Sequence, residues 1–152
     1  MLGRTRPREE YDAGWFAADA ALPRVLVVDD DDLHRMIICR TAAKAGYVPA
    51  EASGYEEAAA LLQAEAFDCI TLDLSLGEHV GVEMLRHLSA IGCAAPIIII
   101  SGCDGETCRD TVHLANLLKL NVRQPVPKPV DLVVLRYSLE QLTRQRESAG
   151  QR

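Results

Sequence analysis

The stretch VLVVDDDD (25–32) runs four apolar residues straight into four carboxylates. Like charge gathered at the end of a buried strand needs compensation, because mutual repulsion and desolvation each favour protonation. A further carboxylate, Asp73, closes DCITLD (68–73). PIIIIS (96–101) ends in the Ser101 hydroxyl beside small Gly102, and PKP (127–129) carries the Lys128 ammonium. Asp29, Asp30 and Asp73 suit a hard divalent cation such as Mg2+, which takes oxygen ligands and typically uses one or two carboxylates alongside phosphate oxygens. A hydroxyl donor and a fixed cation are what an anionic phosphoryl group needs as its charge shifts during transfer.

These residues are far apart in the chain, so the elements around them must bring them together. From Arg24 onward, short β-branched runs alternate with helical patterns, the signature of βαβ units and a parallel sheet. Strands are expected at 24–28, 47–51, 68–73, 96–101 and 122–127, and helices at 33–46, 55–66, 82–92, 106–120 and 131–145. Right-handed crossovers then give an α/β, flavodoxin-like (βα)5 doubly wound parallel sheet of strand order 2-1-3-4-5. Its ligand crevice lies at the carboxyl ends of strands one and three, where Asp29, Asp30 and Asp73 converge. Ser101 and Lys128 close strands four and five at the same edge.

Local signals refine this outline. Asp31 and Asp32 are expected to cap the first helix, and Ser53 with Glu56 reads as a capping box for the second. Gly46 and Gly92 stand where helix ends need a left-handed residue. Pro125, Pro127 and Pro129 alternate at one parity, which predicts an edge strand that pairs through Val126 and Lys128. His34, His79, His87 and His113 are scattered, and surface or packing roles are expected for them.

A chain of 152 residues makes one domain, and its 49% hydrophobic and 25% charged residues are an ordinary globular balance. A net charge of -6 leaves no basic footprint for a phosphate backbone, so no direct nucleic-acid binding is expected. Five cysteines without a C-x-x-C pair fit reduced thiols. No apolar run approaches the ~18 residues that span a bilayer, so the expected partners include no membrane and the location is cytoplasmic. Residues 1–23, which include Trp15 and Phe16, read as an N-terminal extension. Residues 24–145 read as the domain, and 146–152 as a polar tail.

With VLVVDD, CITLDL, IIIISG and PKP in this order, the chain resembles the response-regulator receiver domain of two-component signalling, of the single-domain type, from Arg24 to about Leu142. The resemblance implies that Asp73 accepts a phosphoryl group from a histidine kinase or histidine phosphotransfer protein. It implies Mg2+ (or Mn2+) held by Asp30 directly, by Asp29 mainly through water, by Asp73, and by the backbone carbonyl of Ser75. Lys128 would pair with the phosphoryl oxygens and Ser101 would hydrogen-bond them. Such a receiver catalyses only its own phosphorylation and dephosphorylation, and switches a surface read by a downstream effector protein.

The sequence departs from the family pattern at Gly77, where a proline is usual, at Val80-Gly81 in place of Asp-Gly, and at Pro125, where an aromatic is common. Two other readings share these ingredients. A flavodoxin-like electron carrier would need a hydroxyl-rich loop after strand one, where DDDD would repel a flavin phosphate. An Asp-nucleophile phosphohydrolase usually carries its nucleophile after strand one with a second Asp two residues on, whereas Asp73 is followed by Leu74 and Ser75.

Overall fold

Largely apolar runs rich in β-branched residues make the third and fourth strands able to bury both faces. β3 (Cys69–Asp73) and β4 (Ile97–Ser101) are buried at every position. In the computed structural model, residues 22–74, 78–102 and 105–150 are described. Around these strands lie β1 (Arg24–Val28), β2 (Val48–Ala52) and β5 (Val126–Pro127), in one parallel sheet of order β2-β1-β3-β4-β5. This is the expected flavodoxin-like order, with β2 and β5 as its edges.

The period-two alternation of the strands sends successive side chains to opposite faces. Val25, Val27, Cys69, Ile98 and Ile100 pack with Ile38 and Ala42 of α1 (Asp32–Lys44) and Leu135, Leu139 and Leu142 of α5 (Leu132–Gly150). Leu26, Val28, Ile70, Leu72, Ile97 and Ile99 pack on the other side. Their partners come from α2 (Tyr55–Ala64), α3 (Glu78–Ala90) and α4 (Gly105–Leu117), among them Ala58, Met84, Leu85, Leu88 and Ala115. Each fully buried large side chain contributes about 1.5–3 kcal/mol, so this two-sided filling is what holds the sheet between its helices. The Tyr47 hydroxyl donates to the Leu139 carbonyl at 2.9 Å and ties the α1–β2 corner to α5. Burial pushes the Cys39 thiol up to about 11 and Cys69 to about 12, which keeps both protonated and unreactive.

Register is what serves the strand ends. Val28 stands opposite Leu72, so the next residues, Asp29 and Asp73, leave the sheet side by side. Asp73 pairs with Ile100 and Ser101 with Pro127, which brings Ser101 and Lys128 to the same rim.

Several boundaries differ from the sequence reading. The fifth strand shrinks to two residues plus one isolated bridge, Val122 to Ile97, because Pro125 and Pro127 have no N–H for the ladder. The expected pairing through Lys128 holds: its N–H donates to the Ser101 carbonyl at 2.9 Å. The N-cap of α2 is Gly54, so the residue three positions on is Glu57 and not Glu56; the Ser53 N–H and hydroxyl both donate to Glu57 Oε1, at 2.7 and 2.8 Å. Helix α3 starts at Glu78, ahead of the expected 82, and Gly81 therefore sits inside it. There a Cβ would meet Leu74 Cδ2 at 3.1 Å, so the first turn of α3 packs closely on the chain leaving β3. Helix α4 ends at Leu117, ahead of the expected 120, where Lys119 turns the chain with φ +62. Helix α5 continues to Gly150, past the expected end at 145, through the helix-favouring Arg146, Glu147 and Ala149, and Arg146 Nε reaches Asp68 Oδ1 at 3.3 Å. Gly46 and Gly92 take the left-handed conformation, with φ +98 and +69. Residues 1–21, including Trp15 and Phe16, lie outside the described residues, as do 151–152.

Thr71 is 1% exposed in the middle of β3, and its hydroxyl has no hydrogen-bond partner among the described residues. Thr71→Val keeps the shape and removes the orphaned hydroxyl. Its urea midpoint is expected to rise, by an amount corresponding to about 1–3 kcal/mol. A lower midpoint than the native chain would show that the hydroxyl is satisfied.

Candidate functional site

Asp29 is the first residue beyond β1. Its N–H donates to the Ala52 carbonyl at 3.0 Å, which fixes it at the end of the sheet. Its carboxylate is completely buried. Oδ1 accepts the Asp31 N–H at 2.9 Å, and Oδ2 contacts His34 Nδ1. Asp31 is the N-cap of α1, as expected, and its Oδ1 accepts the His34 N–H at 3.0 Å. Arg35 straps this corner together. It donates to the Asp29 carbonyl at 2.7 Å, to Asp32 Oδ1 at 2.7 Å and to Glu51 Oε1 at 2.9 Å.

Asp73, at the end of β3, is 1% exposed. Its Oδ2 lies 2.8 Å from Lys128 Nζ and 3.7 Å from His34 Nδ1. Lys128 follows β5, and its stem lies over Gly102, where a Cβ would stand 3.3 Å from Lys128 Cδ. An alanine at 102 would ask the lysine stem to give by a few tenths of an ångström. Ser101 is buried at the end of β4, one step from this pair. Asp30, the next residue of the chain after Asp29, is exposed. Ser75 lies outside the described residues.

Burial holds the Asp29 carboxyl above its ordinary value. The Asp31 N–H and the His34 ring oppose that shift, and the charge of Asp73 adds to it. Two buried carboxylates facing each other with too little positive charge are the setting a cation relieves. Asp29, Asp73 and His34 present ligand atoms that all lie within 4.8 Å of one another. Ligands ~2.1 Å from an octahedral ion stand about 3 Å apart when adjacent and about 4.2 Å when opposite, so these atoms come within one ion's span once the His34 ring parts slightly from Asp29.

Thus Asp29, Asp73, Ser101 and Lys128 come together, with Asp30 beside them. The residue that sequence reasoning missed is His34. Its signal was position: three residues after the N-cap, its Cβ tilts back toward the helix N-terminus and therefore toward the crevice.

Known proteins resemble this chain over the same region. The profile of the response regulator receiver domain matches residues 25–140. Protein-glutamate methylesterase/protein-glutamine glutaminase 2 of Koribacter versatilis is 33% identical over 62% of this chain and 26% of its own length. Transcriptional regulatory protein ZraR of Salmonella typhimurium is 30% identical over 84% of this chain and 28% of its own length. The chain thus spans about a quarter of the length of these relatives. Among solved structures, a response regulator from Colwellia psychrerythraea superimposes with a TM-score of 0.70 at 26% identity, covering 82% of this chain and 99% of its own. No helix among the described residues is long and apolar enough to cross a membrane.

The raised Asp29 value has a thermodynamic sign. A carboxyl that holds its proton more tightly when folded favours the fold below its ordinary value of 3.8, and that contribution is lost as pH rises through the raised folded value. In chelator at neutral pH, Asp29→Asn is therefore expected to melt higher than the native chain, by roughly 2–4 °C for each kcal/mol relieved, with the gap closing on acidification. A neutral-pH melting temperature below that of the native chain would contradict this.

Proposed function

Because the chain belongs to the response-regulator receiver family, we propose that Asp73 is its phosphoryl acceptor in a two-component phosphorelay, fed by a histidine kinase or a histidine phosphotransfer protein. The observation that carries this reading is the ion pair between buried Asp73 and Lys128, with the second buried carboxylate of Asp29 on the other side. A nucleophile needs to be fixed and partly stripped of water, and its product needs a cation already in place.

In the transfer, an Asp73 carboxylate oxygen attacks the phosphorus of the phosphohistidine. A P–O bond forms and the P–N bond breaks; the departing imidazole nitrogen keeps the electron pair and takes up a proton. Lys128 shifts from the Asp73 carboxylate to a phosphoryl oxygen, and the Ser101 hydroxyl donates to another. Hydrolysis returns the site to its start: water attacks the same phosphorus, and inorganic phosphate leaves with restoration of the carboxylate. Asp29, Asp30, Asp73 and the Ser75 carbonyl are the residues assigned to Mg2+ or Mn2+, which when bound supplies positive charge against the phosphoryl oxygens.

The product is a signal and not a released metabolite. The switched surface is assigned to the segments around residues 77–81 and 102–105 and to α4, because Pro125 has no aromatic ring to follow Ser101 inward. The reader of that surface is a downstream effector protein, and the setting is the cytoplasm.

Incubation with acetyl phosphate and Mg2+ is expected to add one phosphoryl group, found by mass spectrometry on Asp73 and labile in the manner of an acyl phosphate. Asp73→Asn should lose the label entirely, and Lys128→Ala should accept phosphate but fail to switch α4. Label that survives Asp73→Asn would place the acceptor elsewhere.

A further inference from the structure

We propose that His34 Nδ1 is a nitrogen ligand of the metal centre, so that this site favours first-row transition ions such as Co2+ and Zn2+ over Mg2+ more than a carboxylate-only site does. This deepens the reading above and rests on its metal centre.

The placement of the ring is built in. His34 occupies the first turn of α1, its N–H is tied to the N-cap Asp31, and neighbouring Arg35 locks the same turn to Asp29, Asp32 and Glu51. Its side chain is 23% exposed, with Nδ1 directed at Oδ2 of both Asp29 and Asp73. An ion joining those two carboxylates at ~2.1 Å lies within bonding reach of Nδ1, since adjacent ligands are about 3 Å apart. The ion therefore either binds this nitrogen or must displace the ring. Binding needs Nδ1 to present its lone pair to the ion, with the ring proton held on Nε2.

The consequence is selectivity. Mg2+ gains little from imidazole and prefers oxygen, whereas Co2+, Ni2+, Cu2+ and Zn2+ all gain from nitrogen donors, Cu2+ the most. Two carboxylates and one imidazole make a mixed set that still leaves positions for water or phosphoryl oxygens.

Calorimetric titration of the full chain with MgCl2 and with CoCl2, in the native protein and in His34→Ala and His34→Gln, tests this. Both variants are expected to lose about tenfold or more in Co2+ affinity. Their Mg2+ affinity should change by less than about threefold. In the native protein, Co2+ should give a hyperfine-shifted imidazole proton resonance that disappears in both variants. An unchanged Co2+ to Mg2+ ratio, or an intense thiolate-to-cobalt absorption, would overturn the assignment. If Mg2+ binds but the ratio ignores His34, this inference alone fails; if neither ion binds the native chain, the metal centre of the proposed function fails with it.

Discussion

Two carboxylates, Asp29 and Asp73, are held side by side at adjacent strand ends with almost no contact with water. Nothing in their own chemistry favours that arrangement. It persists because the register of β1 on β3 leaves no other place for the residues that follow Val28 and Leu72. The sheet, buried on both faces, opposes the repulsion with many small apolar contributions. Much of the surrounding polar structure answers the same tension: the Asp31 N–H and the His34 ring on one carboxylate, and the Lys128 ammonium on the other.

The electrostatic strain is thus placed where it is useful. A crevice that is short of positive charge has affinity for cations, and under the proposed function the lysine already beside Asp73 is arranged for the product of phosphoryl transfer. Arg35 has a different part. It touches a backbone carbonyl and two carboxylates at the crevice wall, and so holds the turn that aims Asp29 and His34.

Much of this was legible in the sequence because it depends on strand ends. Apolar runs that stop at Asp29, Asp73, Ser101 and Lys128 fix both the order of the sheet and the composition of its rim, and Gly46 and Gly92 mark helix ends by a backbone conformation that few other residues adopt. Helix boundaries were less legible, since the first turn of α3 and the extension of α5 depend on packing and pairing across the fold, such as Gly81 against Leu74 and Arg146 with Asp68. His34 was missed for a related reason. A lone histidine carries no pattern, and its importance comes from the direction the N-terminus of α1 gives its side chain. Ser75, Gly77 and the extension before residue 22 fall outside the described residues.

β5 differs mechanically from the strands that carry the carboxylates. β1 and β3 are clamped on both sides by neighbouring strands, so the acidic pair stands on a stiff base. Lys128 hangs from a two-residue edge strand thinned by prolines and held to β4 through the Ser101 carbonyl. The fold therefore combines a rigid anvil with a compliant arm. Under the proposed function, the Lys128 ammonium follows a charge from one set of oxygens to another while Asp73 beneath it stays still, and the work of that displacement falls on the sheet's edge instead of its core.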